Sequence, residues 1–153
     1  MTTRFEFGKA EPAAFQAMMG LERYVRKSGL DKTLLELVKT RASQINRCAF
    51  CIDMHTKDAR YAGETEQRLY VLSAWKETPF FTPQERAVLA LTEAVTLINE
   101  HDVPDAVYEE VGRYFTVDQI TQLLMAIVTI NAWNRIAITT RTVPGSYQVE
   151  AAA

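Results

Sequence analysis

The segment 117–140 constrains this chain more than any other. "TVDQ" at 116–119 reads as a capping box, in which Thr116 caps a first turn and Gln119 reaches back. The spacing predicts one long helix from about Val117 to Thr140. Its centre, "LLMAIVTINAW", is apolar on nearly every side, and such a helix has to be covered all round. In a domain this small, one covering partner is expected to be another subunit. A central helix buried within a monomeric bundle is the alternative. Asn131 falls in the apolar stripe of Ile120, Leu124, Ile127 and Ile138. A buried amide needs hydrogen-bond partners. Asn131, like Asn134, is expected to serve packing specificity rather than chemistry.

The rest of the chain carries helix punctuation too. No stretch alternates apolar and polar residues long enough to make a strand. Pro12 suits a first turn, and Gly29 can end that helix in a left-handed cap. Asp31 is the next N-cap, followed by Leu34, Val38, Arg41/Ala42 and Ile45 at helical spacing. Asn46 is expected to cap a helix that runs through the cysteines to Ala62 and stops at Gly63. A short helix spans roughly 65–75. "TPQE" at 82–85 is a second capping box, opening a helix to about Asn99. Pro104 opens another that ends near Tyr114. The fold class is therefore all-α: about seven helices, no sheet, in a single domain over 1–142. Pro144 and Gly145 are expected to end order, leaving 143–153 as a loose tail.

A chain of 153 residues is long enough to bury a core without staples. Apolar residues make up 48% and charged residues 24%, an ordinary globular balance. A formal net charge of -2 gives no reason to expect nucleic acid or an anionic membrane as partner. "MTTRFEFGKAEP" lacks the apolar core of a signal peptide, and "LLMAIV" is too short to span a bilayer. The expectation is a soluble, cytoplasmic protein. In a reducing compartment a Cys-x-x-Cys pair is catalytic or metal-binding more often than a structural staple.

Both cysteines fall within "RASQINRCAFCIDMHTKDAR", residues 41–60, with His55 four residues after the second. On a helix, Cys48, Cys51, Ile52, His55, Ala59 and Ala62 share one stripe, and Asp53, Lys57 and Arg60 lie on the other side. A thiol in the first turn meets free backbone N–H groups and the positive end of the dipole, which favour its thiolate. Cys51 and His55, at i and i+4, are close enough for the imidazole to accept the thiol proton. The pair can also close a disulfide with little backbone movement. Two rival readings stand beside this redox dithiol. Cysteine packs readily in cores, so the pair could be small core residues. A zinc site wants four ligands, whereas Cys48, Cys51 and His55 offer three from successive turns of one helix. His101 is the only other histidine, in a loop where it reads as solvated. No metal and no cofactor are expected. Trp75 and Trp133 sit where core or interface packing explains them.

"ELVKTRASQINRCAFCIDMHTKDAR" resembles the core motif of the alkyl hydroperoxidase D (AhpD)-like proteins of the carboxymuconolactone decarboxylase superfamily. "FTPQERAVLALTEAVTLI" and "INAWNRIAI" are similar to the same branch, so the resemblance covers roughly residues 12–140. It implies an all-α AhpD-like bundle and a trimeric or hexameric assembly. It implies a site of Glu36, Cys48, Cys51 and His55: Cys51 as peroxidatic cysteine, Cys48 as resolving cysteine, Glu36 and His55 as a proton relay. It implies a thiol peroxidase for a small organic hydroperoxide or hydrogen peroxide, reduced by an external dithiol protein. Phe50 departs from the pattern, because the best-known members carry histidine just before the second cysteine. The decarboxylase branch does not rely on a Cys-x-x-Cys pair, so the pair favours redox chemistry over lactone decarboxylation. The alternatives are a protein disulfide oxidoreductase or redox adaptor, and a non-catalytic oligomeric protein.

Periodicity and resemblance disagree twice. Dipole reasoning favours Cys48 as the better thiolate, whereas the resemblance favours Cys51 beside His55. A general base outweighs a dipole effect of roughly 0.3–1 kcal/mol, so Cys51 is taken as the nucleophile. Periodicity places Glu36 on a solvated face with Thr40 and Ser43; only the resemblance turns it inward. Burial near thiols should then raise its pKa.

Overall fold

The computed structural model describes residues 2–149. In chain order the elements are α1 (Phe7–Ala10), α2 (Pro12–Arg26), α3 (Lys32–Asn46), α4 (Ala49–Tyr61), α5 (Glu66–Val71), a 3-10 helix (Leu72–Glu77), α6 (Pro83–Thr96), α7 (Asp105–Gly112) and α8 (Val117–Thr140). Among the described residues there is no strand, so the fold is all-α.

Local chemistry explains most boundaries. Thr82 Oγ1 accepts from the Glu85 N–H at 3.2 Å, while Glu85 Oε2 accepts from the Thr82 N–H at 2.7 Å. Thr116 and Gln119 close the same reciprocal box at the start of α8. Asp31 Oδ1 accepts from the Leu34 N–H at 2.8 Å and caps α3. A side-chain cap of this kind stabilises a helix by about 1 kcal/mol.

Helix α3 is the axis of the bundle. Leu34 and Val38 pack with Ala87, Val88 and Leu91 of α6, Val111 of α7, and Ile120, Leu123 and Ile127 of α8. Leu37 faces Ala59 of α4 and Leu69, Leu72 and Trp75. Leu35 meets Val25 of α2 and Ala126 of α8. Ala42 meets the two cysteines, Ile130 and Ala137. With neighbours all round, α3 has no wholly solvated side, and Lys39, Thr40 and Ser43 are buried along with its leucines.

Several boundaries differ from the sequence expectation. The four-residue α1 is too short to show periodicity. Asn46 does not cap the cysteine helix; it is the last residue of α3. Arg47 turns left-handed at φ 59°, its N–H donates to Gln44 O, and the Cys48 N–H donates to Ser43 O. This pair of bonds is a Schellman ending, and it delivers Cys48 directly as the N-cap of α4. The segment 65–75 divides into α5 and a 3-10 turn, with Ala74 kinked at φ -117° and ψ 31°. The helix from Pro83 ends at Thr96, three residues before the expected Asn99.

Helix α8 matches its expected bounds and is long and apolar enough by composition to cross a bilayer. Nine of its residues, from Ile120 to Thr140, are buried inside the chain. Val117, Leu124, Val128 and Ile138 remain exposed. Asn131 and Asn134 form an amide network with α3: Asn46 Nδ2 donates to both side-chain oxygens, at 2.8 and 2.9 Å. Asn131 Nδ2 donates to Thr96 Oγ1 and Asn134 Nδ2 to Ser43 Oγ, each at 3.0 Å. The segment expected to be loose after Pro144 folds back on α4. The Gly145 N–H donates to Asp53 Oδ2 at 3.1 Å, and Lys57 Nζ donates to the Tyr147 carbonyl at 3.1 Å. Residues 150–153 of that expected tail lie outside the described residues.

Candidate active site

The Schellman ending of α3 and the start of α4 place the two sulfurs. Cys48 is extended at φ -84° and ψ 94°, and its Sγ accepts from the Cys51 N–H at 3.4 Å. Its sulfur therefore occupies the cap itself rather than the first turn, where the open N–H groups favour negative charge. The two Cα atoms are 5.3 Å apart and the sulfurs lie at disulfide-bonding distance, within the range a disulfide requires. Both residues are 1–2% exposed. Phe50 and Trp133 pack against them, and Trp133 stacks edge-on against Phe7 and Phe15. Trp133 thus helps wall the dithiol. Trp75 does not: it lies in a different cluster, and its Nε1–H donates to Glu93 Oε1 at 2.7 Å.

His55 sits one turn beyond Cys51 on the buried face of α4. Its Nδ1 lies 2.8 Å from Glu36 Oε2. Glu36 is therefore inside, contrary to the periodicity reading. The cause is the encirclement of α3, whose polar face is covered by α2 and α4 instead of water. With Glu36 as a carboxylate, Nδ1 carries the proton and donates it, which leaves Nε2 as the basic nitrogen.

The expected rise in the Glu36 pKa does not occur. Burial pushes the carboxyl up, but the His55 hydrogen bond, the His55 charge and the Lys39 ammonium together hold it below its usual value. Lys39, three residues on, is buried against the helical periodicity of α3. Burial pulls its ammonium down, yet the charges of Glu36 and Glu22 leave it above its usual value. Its Nζ donates to Glu36 Oε1 at 3.1 Å and to Glu22 Oε1 at 3.3 Å. The i, i+3 spacing of Glu36 and Lys39 is a signal that sequence could have supplied. Glu22, on another helix, carries none.

Asp58 and Tyr147 complete the surroundings. Asp58 Oδ2 is 3.9 Å from His55 Nδ1, and Tyr147 Oη donates to Asp58 Oδ1 at 2.6 Å. Burial and the Asp58 carboxylate push the Tyr147 hydroxyl well above its usual range, so it stays protonated. One ligand atom each from Glu36, His55 and Asp58 lies within 4.8 Å of the others. Lys39 and the imidazole N–H already occupy the Glu36 oxygens, so the cluster reads as an ion-pair network rather than a cation site. His101, the remaining histidine, is an exposed loop residue. The open depressions near Trp75 are lined by Lys76, Arg86 and Glu93 among others, and by none of the four expected site residues.

Chemically, this is a dithiol that can close on itself, with a histidine base one turn away and a carboxylate fixing that histidine's tautomer. Residues 12–94 match the Carboxymuconolactone decarboxylase family. YdfG of Bacillus subtilis, itself uncharacterized, is 46% identical over 138 residues, which are 90% of this chain and 94% of YdfG. A solved Agrobacterium tumefaciens protein of unknown function, provisionally called an AhpD antioxidant-defence protein, is 44% identical and superposes with a TM-score of 0.93. That match covers 95% of this chain and 100% of the other. The alkylhydroperoxidase AhpD core of a peroxidase-related protein from Ralstonia eutropha is 20% identical, with a TM-score of 0.80 over 91% of this chain and 74% of that one, a likeness of fold. The chain is an AhpD-like member of the carboxymuconolactone decarboxylase family.

Proposed function

We propose that this protein is a thiol peroxidase, and the observation that carries the reading is the Cys48–Cys51 pair set one turn before the Glu36–His55 pair. In the reduced protein, His55 Nε2 takes the Cys51 proton. The thiolate attacks the terminal peroxide oxygen, the O–O bond breaks, and Cys51 becomes a sulfenic acid. The departing alkoxide takes the proton back from His55 and leaves as an alcohol, or as water when the substrate is hydrogen peroxide. The Cys48 thiolate then attacks the sulfenic sulfur; the S–S bond forms and hydroxide leaves, protonated to water. An external dithiol protein supplies two electrons and two protons to reopen the disulfide. Apolar and aromatic neighbours favour a small organic hydroperoxide over hydrogen peroxide.

An imidazole held by Glu36 one turn from Cys51, among apolar neighbours, suits deprotonation of a thiol for attack on a small peroxide. That places the peroxidase reading ahead of a disulfide oxidoreductase or adaptor. The apolar stripe of Val117, Leu124, Val128 and Ile138 suits the interface of a homo-oligomer, a trimer or hexamer by family resemblance. A cytoplasmic setting fits a dithiol that has to be re-reduced.

The test is organic hydroperoxide consumption with a dithiol reductant by the parent, Cys48→Ser and Cys51→Ser. The expected result is turnover by the parent alone and a trapped sulfenic acid in Cys48→Ser. No consumption by the parent overturns the peroxidase reading, and equal activity in all three proteins makes the cysteines packing residues.

A further inference from the structure

Lys39 is only 7% exposed, and lysine is almost never this buried unless paired. Its Nζ lies between two carboxylates, Glu36 Oε1 at 3.1 Å and Glu22 Oε1 at 3.3 Å. The other Glu36 oxygen faces His55 Nδ1. A continuous row, Glu22–Lys39–Glu36–His55, thus crosses from α2 through α3 to α4 and ends one turn from Cys51. Nothing in the peroxidase cycle requires an ammonium in that row, and packing alone would be better served by an apolar side chain.

We propose that Lys39 is a positioning residue of the dithiol site, holding Glu36 as an oriented carboxylate so that His55 keeps its proton on Nδ1 and presents Nε2 to Cys51. This rests on the roles proposed above for Cys51 and His55.

The physical case is one of competing charges. Burial works against the Glu36 carboxylate, and Lys39 and His55 are the groups that oppose it. Removing the ammonium leaves the carboxylate supported by the imidazole alone. A protonated Glu36 can donate to Nδ1, which moves the ring proton to Nε2 and removes the base from Cys51. The other charges around the row do not replace Lys39. Arg26 on α2 reaches Glu22 at 3.4 Å, but its side chain is 70% exposed. Asp58 on α4 adds negative charge, and Tyr147, from the C-terminal segment, is neutral and bonded to Asp58. Cys48 and Cys51 are the remaining titratable groups on α4's buried face once reduced.

The experiment uses the full chain carrying Cys48→Ser, so that Cys51 is the single thiol. Its alkylation rate with iodoacetamide is measured from pH 5 to 10, alone and combined with Lys39→Met, Lys39→Arg, or Lys39→Met with Glu22→Gln. Lys39→Met is expected to slow alkylation at pH 7 by about tenfold or more and move the inflection upward, since a neighbouring charge shifts a titration by roughly 1–3 units. Lys39→Arg is expected to restore most of the rate. The double variant removes both members of the buried outer pair, leaving only the solvent-exposed Arg26 without its carboxylate, and it is expected to stay as slow as Lys39→Met. Overlapping profiles for Lys39→Met and its parent overturn the proposal. So does full recovery in the double variant, because Lys39 would then serve only to neutralise Glu22. If these shifts are found but the wild-type protein turns over no peroxide, the peroxidase reading fails while Lys39's effect on the thiol stands.

Discussion

Glu36 Oε2 and His55 Nδ1 meet at 2.8 Å across the α3–α4 contact, nineteen residues apart in sequence and both largely shielded from solvent. One bond therefore joins the central helix to the helix that carries the thiols. It makes the basicity of an imidazole on α4 depend on the charge of a carboxylate on α3.

That dependence predicts the behaviour of Glu36→Gln. The glutamine amide keeps the shape but can donate to Nδ1, which places the ring proton on Nε2, the nitrogen proposed to deprotonate Cys51. Peroxide reduction is expected to fall about 100-fold at pH 7, the lower end of what a positioned acid–base group contributes. The check is kcat/KM with an organic hydroperoxide, together with Cys51 alkylation. A variant that retains parental values in both would remove Glu36 from the mechanism.

The same pair of charges sets a pH window for stability. The folded Glu36 carboxyl lies below its usual 4.5. Its contribution is therefore present above pH 4.5 and is lost as pH falls through the lower, folded value. Lys39 is raised above its usual 10.5, so its contribution is complete below pH 10.5 and lost as pH rises through the folded value. Urea midpoints measured across pH should be flat in these groups between the two limits. Glu36→Gln should flatten the acid limb, and Lys39→Met the alkaline one. An acid limb of unchanged slope in Glu36→Gln contradicts the assignment.

Sequence made the helices legible wherever chemistry is local. The capping boxes at Thr82 and Thr116 and the Asp31 cap are written in adjacent residues, and all three form. The shared face of Cys48, Cys51 and His55 follows from the 3.6-residue period alone. Glu36 was legible only through family resemblance, because periodicity assumes a helix with one dry side and one wet side, whereas α3 is enclosed all round. Lys39 hides for the same reason, and its partner Glu22 belongs to a packing of α2 on α3 that no local pattern encodes. Tyr147 follows a Pro-Gly pair that locally signals the end of order, and three hydrogen bonds to α4 override that signal.

The boundary between α3 and α4 offers a stability test. Arg47 holds φ 59° with an exposed side chain. A left-handed conformation costs an ordinary residue roughly 1–2 kcal/mol, and glycine avoids that at an entropic cost of about 0.5–1 kcal/mol. Arg47→Gly is expected to gain about 0.5–1 kcal/mol and raise Tm by ~2–3 °C, whereas Arg47→Ala should be near neutral. Equal Tm values for the glycine and alanine variants would show that the backbone turn is not the source of strain.

Tyr147 gives the last prediction. Its hydroxyl donates to Asp58 Oδ1 at 2.6 Å, and the Asp58 side chain is 27% exposed, so water can replace the bond when it is lost. Tyr147→Phe is therefore expected to cost only about 1 kcal/mol, below the usual range for a hydrogen bond to a charged group. The sharper signature is spectroscopic. A hydroxyl raised above its usual 10.0 resists ionisation in the folded protein. Stability from this bond is complete below pH 10.0 and is lost as pH rises through the folded value. In a tyrosinate absorbance titration of the folded protein, the parent should hold one tyrosine back until alkaline unfolding, and Tyr147→Phe should abolish that held-back step. If the two titrations show the same late step, the C-terminal segment is not seated on α4 in solution, and Asp58 beside His55 faces water instead of Tyr147.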